Sequence, residues 1–341
     1  MSMEVNVSAP AEPDAVQTEN GDGYSLYRGD CVRVTGSLPD SSIDFCIHSP
    51  PFSSLYIYSD HEADMGNCSS DQEFIEHYKY LIAELFRTMV SGRIVAVHCK
   101  DLPKYANSDG TAGLIDFPGM IIRAYEDCGF SFHSRVTIWK CPVTERERTN
   151  NNGLLHKTIL RDRSQVRQGM ADYILAFRKP PSGTLMSKKP VNRDIEPGEG
   201  LTRYVGEEYP FTTEHPSPYS RKKMPKDGEH AKSIAIWQRY AEPVWWDINQ
   251  TNVLNFKIAR DEKDERHICP LQLDVIERCI QLWSNPGDIV LTPFMGIGSE
   301  IYVALKTGRR AVGIELKESY FRVAKKNALA AVAKARESQL F

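Results

Sequence analysis

The stretch DIVLTPFMGIGS, residues 288–299, places an apolar run directly before a glycine-rich turn. Its first four residues predict a buried strand, and a helix is expected after the turn. Glycines between a strand and a helix let a ligand approach the backbone closely. Glu315 follows Gly296 by 19 residues and ends the next predicted strand. A carboxylate there can accept hydrogen bonds from both hydroxyls of a ribose, so the stretch predicts an α/β fold with a nucleotide-type cofactor site.

The rest of the chain repeats this alternation of strands and helices. Apolar runs bounded by turn residues predict strands, and apolar residues at helical spacing predict helices. The predicted strands cover residues 24–27, 43–47, 93–99, 131–140, 171–179 and 311–315. The predicted helices cover residues 71–90, 117–127, 271–283, 299–306 and 319–336. This alternation predicts a mostly parallel, doubly wound sheet.

The composition is that of an ordinary globular protein of 341 residues, with 41% hydrophobic and 26% charged residues. The net charge of −3 does not by itself indicate a nucleic-acid partner. The charge is uneven, however, because residues 140–263 hold 22 Lys and Arg against 16 Asp and Glu. A basic middle third suits a DNA-contacting region on an acidic core. A solvated basic face would explain it equally well.

The cysteines indicate a reducing environment. None of the eight forms a Cys-x-x-Cys pair, so we expect neither a zinc site nor disulfides. Cysteines in apolar runs behave as small core residues, as in cytoplasmic proteins. No apolar stretch has membrane-spanning length, and the N-terminus lacks the apolar core of a signal peptide. We therefore expect a cytoplasmic protein without a metal or a membrane partner.

A second short motif, Ser49-Pro50-Pro51-Phe52, follows the predicted strand 43–47. Prolines lack N–H groups and have a fixed φ, so this loop is stiff and presents carbonyl acceptors. With this motif before TPFMGIGS, the chain resembles the permuted (beta-class) amino-methyltransferases of DNA, which act on cytosine N4 or adenine N6. The resemblance implies a Rossmann-like methyltransferase fold with circularly permuted motif order and an inserted target-recognition module. It also implies S-adenosyl-L-methionine (SAM) as the cofactor.

The resemblance divides the chain into four parts. Residues 1–23, which hold few large apolar groups, are expected to be a flexible tail. Residues 24–179 and 262–341 are expected to form the catalytic half and the SAM-binding half of the methyltransferase domain. Between them, residues 180–261 are rich in Pro, Gly and Lys and lack periodicity, which predicts the separate target-recognition module.

The resemblance also gives the proline loop a catalytic role. The exocyclic amine of a base is a poor nucleophile because its lone pair is delocalised into the ring. The Ser49 hydroxyl and the Pro50 carbonyl would accept its two hydrogens. Pro51 would stiffen the loop, and Phe52 would stack on a base flipped out of the duplex. Ser at the first position usually accompanies N4-cytosine methylation in this family, and Asp accompanies N6-adenine methylation, so we favour cytosine with adenine as the alternative.

The family pattern further implies which residues contact SAM. Glu315 would bind the ribose, Asp30 the adenine amino group, and Phe294 would cover the adenine ring. Thr292 stands where the family usually has Asp, near the methionine end of SAM. The complete predicted set is Asp30, Cys31, His267, Pro270, Thr292, Pro293, Phe294, Gly296, Gly298, Ser299 and Glu315.

Double-stranded DNA is the implied partner, and two basic segments are expected to contact it. One is the long loop between the predicted strands 131–140 and 171–179, and the other begins at residue 221. Their side chains could grip phosphates around a flipped base. The predicted DNA-binding residues are Lys140, Arg146, Arg148, Lys157, Arg161, Arg163, Arg221, Lys222 and Lys223. The family also implies a homodimer, and any partner restriction endonuclease is expected to be a separate chain.

Three other functions stay open at this point. A nicotinamide-dependent oxidoreductase would explain the glycine loop and Glu315, but it leaves residues 49–52 unexplained. A non-catalytic DNA-binding regulator would explain Thr292 in place of the usual Asp. An RNA or protein methyltransferase would share the cofactor site.

Overall fold

The computed structural model describes residues 16–52, 64–104, 110–149, 152–181, 204–206, 229–259 and 270–338. The predicted site residues His267, Arg221, Lys222 and Lys223 lie outside these ranges, as do residues 1–15 of the predicted tail. Within the described ranges, no helix is both long enough and apolar enough to cross a membrane.

The described residues form eight α-helices and eleven β-strands. The helices are α1 (Cys31–Ser37), α2 (Asp71–Thr88), α3 (Phe117–Asp127), α4 (Pro142–Thr149), α5 (Glu229–Tyr240), α6 (Leu273–Trp283), α7 (Ser299–Lys306) and α8 (Glu318–Ser338). The strands are β1 (Gln17–Gly21), β2 (Tyr24–Arg28), β3 (Ile43–His48), β4 (Met89–Lys100), β5 (Leu102–Lys104), β6 (Gly113–Ile115), β7 (Ser131–Ile138), β8 (Asp172–Arg178), β9 (Val244–Trp245), β10 (Ile289–Thr292) and β11 (Arg310–Glu315).

Local sequence explains how these elements start and stop, and α2 is a clear case. The side chain of Ser70 accepts a hydrogen bond from the Glu73 N–H at the start of the helix. Glu73 in turn accepts from the Ser69 N–H, so two N–H groups at this helix end are satisfied. The helix ends at Thr88, two residues before the predicted end, because the buried strand β4 begins at once.

Nine of the described strands form one sheet, in the order β1-β2-β11-β10-β3-β4-β8-β7-β9. The five strands from β2 to β4 in this order pair in parallel. Strand β8 is antiparallel to both of its neighbours, and β1 is antiparallel to β2. From the central pair β10 and β3, the connection from β3 to β4 runs toward one edge of the sheet, and the connection from β10 to β11 runs toward the other edge. The strand order therefore reverses between β10 and β3. Ligands of open α/β sheets bind outside the carboxyl ends of such a switch point.

Helices cover both faces of this sheet. Helices α1, α2 and α3 pack against one face, where Phe74 and Phe117 are fully buried. Helices α6, α7 and α8 pack against the other, where Ile276 and Phe321 are buried. Phe45, Cys46 and Ile47 of β3 alternate between the two apolar clusters, as strand geometry requires. The doubly wound α/β fold predicted from the sequence is confirmed.

The described end of the predicted recognition module is joined to the main sheet. Strand β9 pairs in parallel with β7, and Trp245 is completely buried in the core below it. The Trp245 indole donates a hydrogen bond to the Tyr240 carbonyl, 2.9 Å away. Asp247 binds Arg278 of α6 at 2.8 Å. Residues 244–247 thus pack as part of the main α/β core, because the large Trp245 indole is buried there.

The predicted flexible tail also ends earlier than residue 23. Residues 17–21 form β1, an edge strand that pairs with β2 along its whole length. The strand is polar and largely exposed, so its sequence lacks the apolar alternation that marks a strand. Backbone pairing with the buried β2 orders it instead.

Candidate active site

Two predicted motifs meet at the carboxyl edge of the sheet. Ser49 directly follows β3, and the loop that begins at Pro293 directly follows β10. These two strands are hydrogen-bonded neighbours at the switch point. Segments far apart in the sequence are therefore adjacent, and the crevice between them is the candidate active site.

The glycine loop is shaped by two left-handed residues. Gly296 has a φ of 53° and Gly298 a φ of 85°, values that side chains rarely tolerate. A Cβ at Gly298 would lie 3.2 Å from the Ala324 backbone and side chain, so α8 packs directly on this turn. At Gly296 a Cβ would meet no heavy atom within 4 Å among the described residues. The loop is thus packed on one side and open on the other, where a ligand can lie against it.

Glu315 lies beside this open side. Its two carboxylate oxygens accept backbone hydrogen bonds, from the Gly296 N–H at 2.7 Å and from the Lys317 N–H at 2.8 Å. These bonds, with a further one from the Leu316 N–H, hold the carboxylate in place. Burial raises the pKa of Glu315 to about 7 despite these bonds.

Two hydroxyls near the same crevice are buried without a hydrogen-bond partner among the described residues. They are Thr292 Oγ1, at the end of β10, and Ser299 Oγ, in the first turn of α7. Leaving a buried polar group unpaired costs about 1–3 kcal/mol, so such groups commonly face a ligand or a water. Together with Glu315 and the open face of Gly296, they fit a ligand with ribose and amino-acid groups, such as SAM.

The other predicted cofactor residues lie around this edge. Asp30 caps α1 by accepting a hydrogen bond from the Arg33 N–H at 2.9 Å, which leaves its second oxygen for a ligand. Cys31 is buried in the first turn of α1, where burial raises the pKa of its thiol. Pro293 is buried, and Pro270 is partly exposed just before α6.

A buried polar network supports both loops from below. The His48 Nε2 lies 2.7 Å from the Tyr78 hydroxyl, and its Nδ1 lies 3.4 Å from the Cys46 thiol. Burial lowers the pKa of His48 to about 3, so the ring is neutral. The Phe294 ring packs 5.7 Å from the His48 ring. This network fixes the end of β3 and the aromatic residue of the glycine loop relative to each other.

Ser49 has partners that the sequence did not predict. Its Oγ lies 3.1 Å from His98 Nδ1, at the end of β4. The opposite nitrogen, His98 Nε2, lies 3.2 Å from Asp172 Oδ2, at the start of β8. Burial alone would raise the pKa of Asp172, but His98 and Lys140 hold it well below its usual range. The result is a continuous row of polar groups running from Ser49 into the protein.

Lys140 is the cation at the inner end of this row. Its Nζ lies 2.6 Å from Asp172 Oδ2 and donates to the Gln250 side chain at 2.7 Å. Only 9% of the side chain is exposed. Lys140, one of the predicted DNA-binding residues, is therefore turned inward in this structure, because the buried Asp172 carboxylate attracts its ammonium.

Phe52 lies over the same row. Its ring packs edge-on 6.2 Å from the His98 ring and 6.4 Å from the Phe117 ring. The Lys100 ammonium lies 6.0 Å from the Phe52 ring centre. Phe52 is only partly buried, so one part of the ring remains available to a flat ligand.

The predicted basic loop leaves and re-enters the sheet at this edge, between the end of β7 and the start of β8. It contains α4 and three short 3-10 turns, and Lys157, Arg161 and Arg163 are exposed on it. Arg146 is partly buried in α4. Arg148 belongs to the same helix, but its side chain lies outside the described part of the structure. The loop thus carries exposed positive charge beside the crevice.

His98 and Asp172 were not predicted from the sequence as site residues. His98 lies near the end of β4 and Asp172 begins β8, each next to a run of apolar residues, and these strand ends lie beside the predicted catalytic loop. Buried ionisable residues at such a position are the signal that could have identified them. Their pairing was not readable, because it depends on the antiparallel register of β4 and β8.

Comparison with known proteins agrees with this geometry. A family profile described as DNA methylase matches residues 43–326, which is most of the chain and includes both motif loops. The chain belongs to the DNA methylase family.

Individual relatives are more distant. The chain is 21% identical to the type II methyltransferase M.BamHI of Bacillus amyloliquefaciens over 85% of its length, and it spans only about half of that relative, 54%. The Thermus thermophilus protein TTHA0409, solved in complex with SAM, matches 90% of this chain and 95% of its own, with a TM-score of 0.57 and 19% identity. PvuII DNA methyltransferase, which is cytosine-N4-specific, matches 92% of both chains with a TM-score of 0.55 and 14% identity. These two structures have the same fold as this chain.

Proposed function

We propose that the chain is a SAM-dependent DNA methyltransferase that modifies the exocyclic amine of a base flipped out of duplex DNA. The observation that carries this proposal is the position of the Ser49 loop and the glycine loop on adjacent strands at the switch point. One loop suits a planar amine, and the other suits a nucleotide-type cofactor. A reaction between the two ligands requires this proximity.

Each part of SAM has a complementary group in the crevice. Glu315 accepts the ribose hydroxyls, and the free oxygen of Asp30 accepts the adenine amino group. Phe294 covers the adenine ring. The unpaired hydroxyls of Thr292 and Ser299 face the methionine end, where Thr292 takes the place of the usual Asp. His267 and Pro270 are proposed to complete the methionine pocket, with Cys31, Pro293, Gly296 and Gly298 shaping the remaining walls.

The catalytic loop positions and polarises the amine. SAM supplies an electrophilic methyl group when it is bound. The Ser49 hydroxyl and the Pro50 carbonyl accept the two amine hydrogens, which favours a tetrahedral nitrogen with an available lone pair. Phe52 stacks on the base, and Pro51 keeps the carbonyl of Pro50 fixed. The loop acts through orientation and hydrogen bonding, without a covalent intermediate.

We propose N4 of cytosine as the acceptor, with N6 of adenine as the alternative. A serine hydroxyl accepts one hydrogen bond while its own hydrogen is directed elsewhere, and in this structure His98 Nδ1 is within reach of that hydrogen. The choice of cytosine follows the family pattern of Ser in this position, since either amine can bind such an acceptor.

Duplex DNA is proposed to lie across the carboxyl edge of the sheet. Exposed cations at Lys157, Arg161 and Arg163 would contact phosphates next to the flipped base. Arg146 and Arg148 in α4, and the basic segment at Arg221, Lys222 and Lys223, would extend this surface. A homodimer, a separate partner endonuclease and a cytoplasmic location complete the proposal.

The direct test is transfer of a labelled methyl group from SAM to unmethylated genomic DNA. The wild-type protein should label DNA, whereas Ser49→Ala should bind SAM normally and transfer far more slowly. Ser131→Ala, an exposed serine at the far end of β7, is the matched control and should behave as wild type. Near-normal transfer by Ser49→Ala would remove Ser49 from the mechanism.

A parallel titration separates the leading proposal from the alternatives. Calorimetry should detect binding of SAM and no binding of NADH. SAM binding without any methyl transfer to DNA would favour an RNA substrate or a non-catalytic regulator. NADH binding would favour an oxidoreductase.

A further inference from the structure

We propose that Ser49, His98 and Asp172 form a proton relay that removes the proton released by the methylated amine. This inference rests on the proposed function, because it assigns the destination of a proton that amine methylation must release. His98 and Asp172 touch neither the base nor SAM in this scheme and act through Ser49. Lys140 serves the relay by keeping Asp172 ionised.

The distances define the direction of the relay. Asp172 accepts a hydrogen bond from the buried Lys140 ammonium at 2.6 Å and is therefore a carboxylate. A carboxylate only accepts, so His98 Nε2, 3.2 Å away, must be the protonated nitrogen. His98 Nδ1 is then a free acceptor, and it lies 3.1 Å from Ser49 Oγ. The Ser49 hydroxyl can thus donate its hydrogen to His98 Nδ1, the shorter of its two contacts, since the His98 carbonyl lies 3.5 Å away.

The fold holds these groups rigidly. Strands β4 and β8 are paired antiparallel, which brings His98 near the end of one strand beside Asp172 at the start of the other. His98 and Asp172 are each only 8% exposed. Phe52 packs against the outer edge of the His98 ring. Ser49, Asp172 and Phe52 therefore contact the His98 ring on three sides. These contacts keep the tautomer that is protonated at Nε2, which the carboxylate selects.

The chemical balance requires such an acceptor. As the base nitrogen bonds to the methyl carbon, the carbon–sulfur bond breaks and its electron pair remains on sulfur. The nitrogen becomes positively charged and loses one proton. That proton passes to Ser49 Oγ while the original Ser49 proton passes to His98 Nδ1. The resulting imidazolium is stabilised by the Asp172 carboxylate and later releases its proton to solvent.

His48, the other imidazole at this edge, is a poor candidate for the same role. Its two nitrogens already face the Cys46 thiol and the Tyr78 hydroxyl. Burial lowers the pKa of its ring to about 3, which disfavours the protonated form. His98 differs because a carboxylate lies behind it. Of the two rings, only His98 has a carboxylate against one nitrogen and the Ser49 hydroxyl against the other.

The test is the single-turnover rate of methyl transfer, measured with saturating SAM and DNA in the full-length protein. His98→Gln keeps an acceptor for the Ser49 hydroxyl but cannot take a proton at neutral pH. We expect it to bind SAM and DNA as wild type does and to transfer about 100-fold more slowly, as is typical for loss of general acid–base catalysis. His133→Gln, an exposed histidine at the opposite end of β7, is the matched control and should keep the full rate.

Chemical rescue guards against a folding defect. Added imidazole should restore transfer by His98→Ala, whereas acetamide, which can hydrogen-bond but not accept a proton, should not. A full rate for His98→Gln would overturn the relay and leave His98 as a simple hydrogen-bond partner, and rescue by acetamide would do the same. If the wild-type protein methylates no DNA, the proposed function fails, and that result is distinguishable from failure of the relay alone.

Discussion

Replacing Glu315 with Gln tests the cofactor site because the change alters charge and hydrogen bonding but hardly alters volume. Both carboxylate oxygens accept a backbone N–H, at 2.7 Å from Gly296 and 2.8 Å from Lys317. In the proposed complex, the ribose hydroxyls add their hydrogen bonds to these backbone contacts. In the variant, one oxygen becomes an NH₂ group that opposes a backbone donor and can no longer accept from the ribose.

The expected loss follows from these contacts. A hydrogen bond to a charged group contributes about 1.5–3 kcal/mol, and the remaining amide oxygen is a neutral acceptor. A net loss of about 2–3 kcal/mol corresponds to a roughly 30- to 150-fold weaker SAM affinity. Glu126→Gln, an exposed glutamate on α3, makes the same chemical change far from the crevice and should leave the affinity unchanged.

The pH dependence gives an independent check. Burial raises the pKa of Glu315 to about 7, so in the free protein the carboxyl is mostly protonated at pH 6 and mostly ionised at pH 8. SAM binding favours the ionised form, since that form accepts both hydroxyls. Wild-type affinity, measured by calorimetry, should therefore weaken about tenfold from pH 8 to pH 6, and the Gln variant should lack this change. Equal affinities of wild type and variant at pH 8 would refute the ribose assignment.

Three further variants test other parts of the structure. Arg93 binds the buried carboxylates of Asp44 and Asp288, so Arg93→Met should lower the free energy of unfolding in urea by about 3–5 kcal/mol; a loss below about 1 kcal/mol would contradict this. Burial raises the pKa of Glu300 to about 8, so its protonated form stabilises the fold fully below pH 4.5 and progressively less as the pH rises to 8. The melting temperature of Glu300→Gln should thus exceed that of wild type more at pH 8 than at pH 5, and a pH-independent difference would exclude this account. Arg163→Gln should reduce the slope of log K for DNA against log salt by about 0.9, and an unchanged slope would exclude a phosphate contact.

Short motifs were sufficient to predict the fold and the position of the crevice. Proline and glycine restrict or permit particular backbone conformations locally. SPPF and TPFMGIGS therefore predict the same loop structures whatever their position in the chain. Alternating strands and helices then predict a parallel sheet, whose carboxyl ends lie on one edge. The adjacency of residues 49–52 and 292–299 follows from that geometry.

Features that depend on contacts between residues distant in the sequence could not be predicted from local sequence patterns. The side chain of Lys140 is basic in the sequence but pairs inward because Asp172 is buried beside it. Trp245 lies in a polar, aperiodic region, yet it fills a gap in the main core. The polar strand β1 forms only because β2 offers a free edge. In each case a contact between distant residues overrides the local pattern.

The central claim is that this active site methylates the exocyclic amine of a base in DNA. The measurement that tests it most directly is the identity of the labelled nucleoside after reaction with isotopically labelled SAM, digestion of the DNA and mass spectrometry. We predict N4-methylcytosine. N6-methyladenine would contradict the choice of base and leave the mechanism in place, whereas the absence of any labelled nucleoside, with SAM bound, would contradict the claim itself.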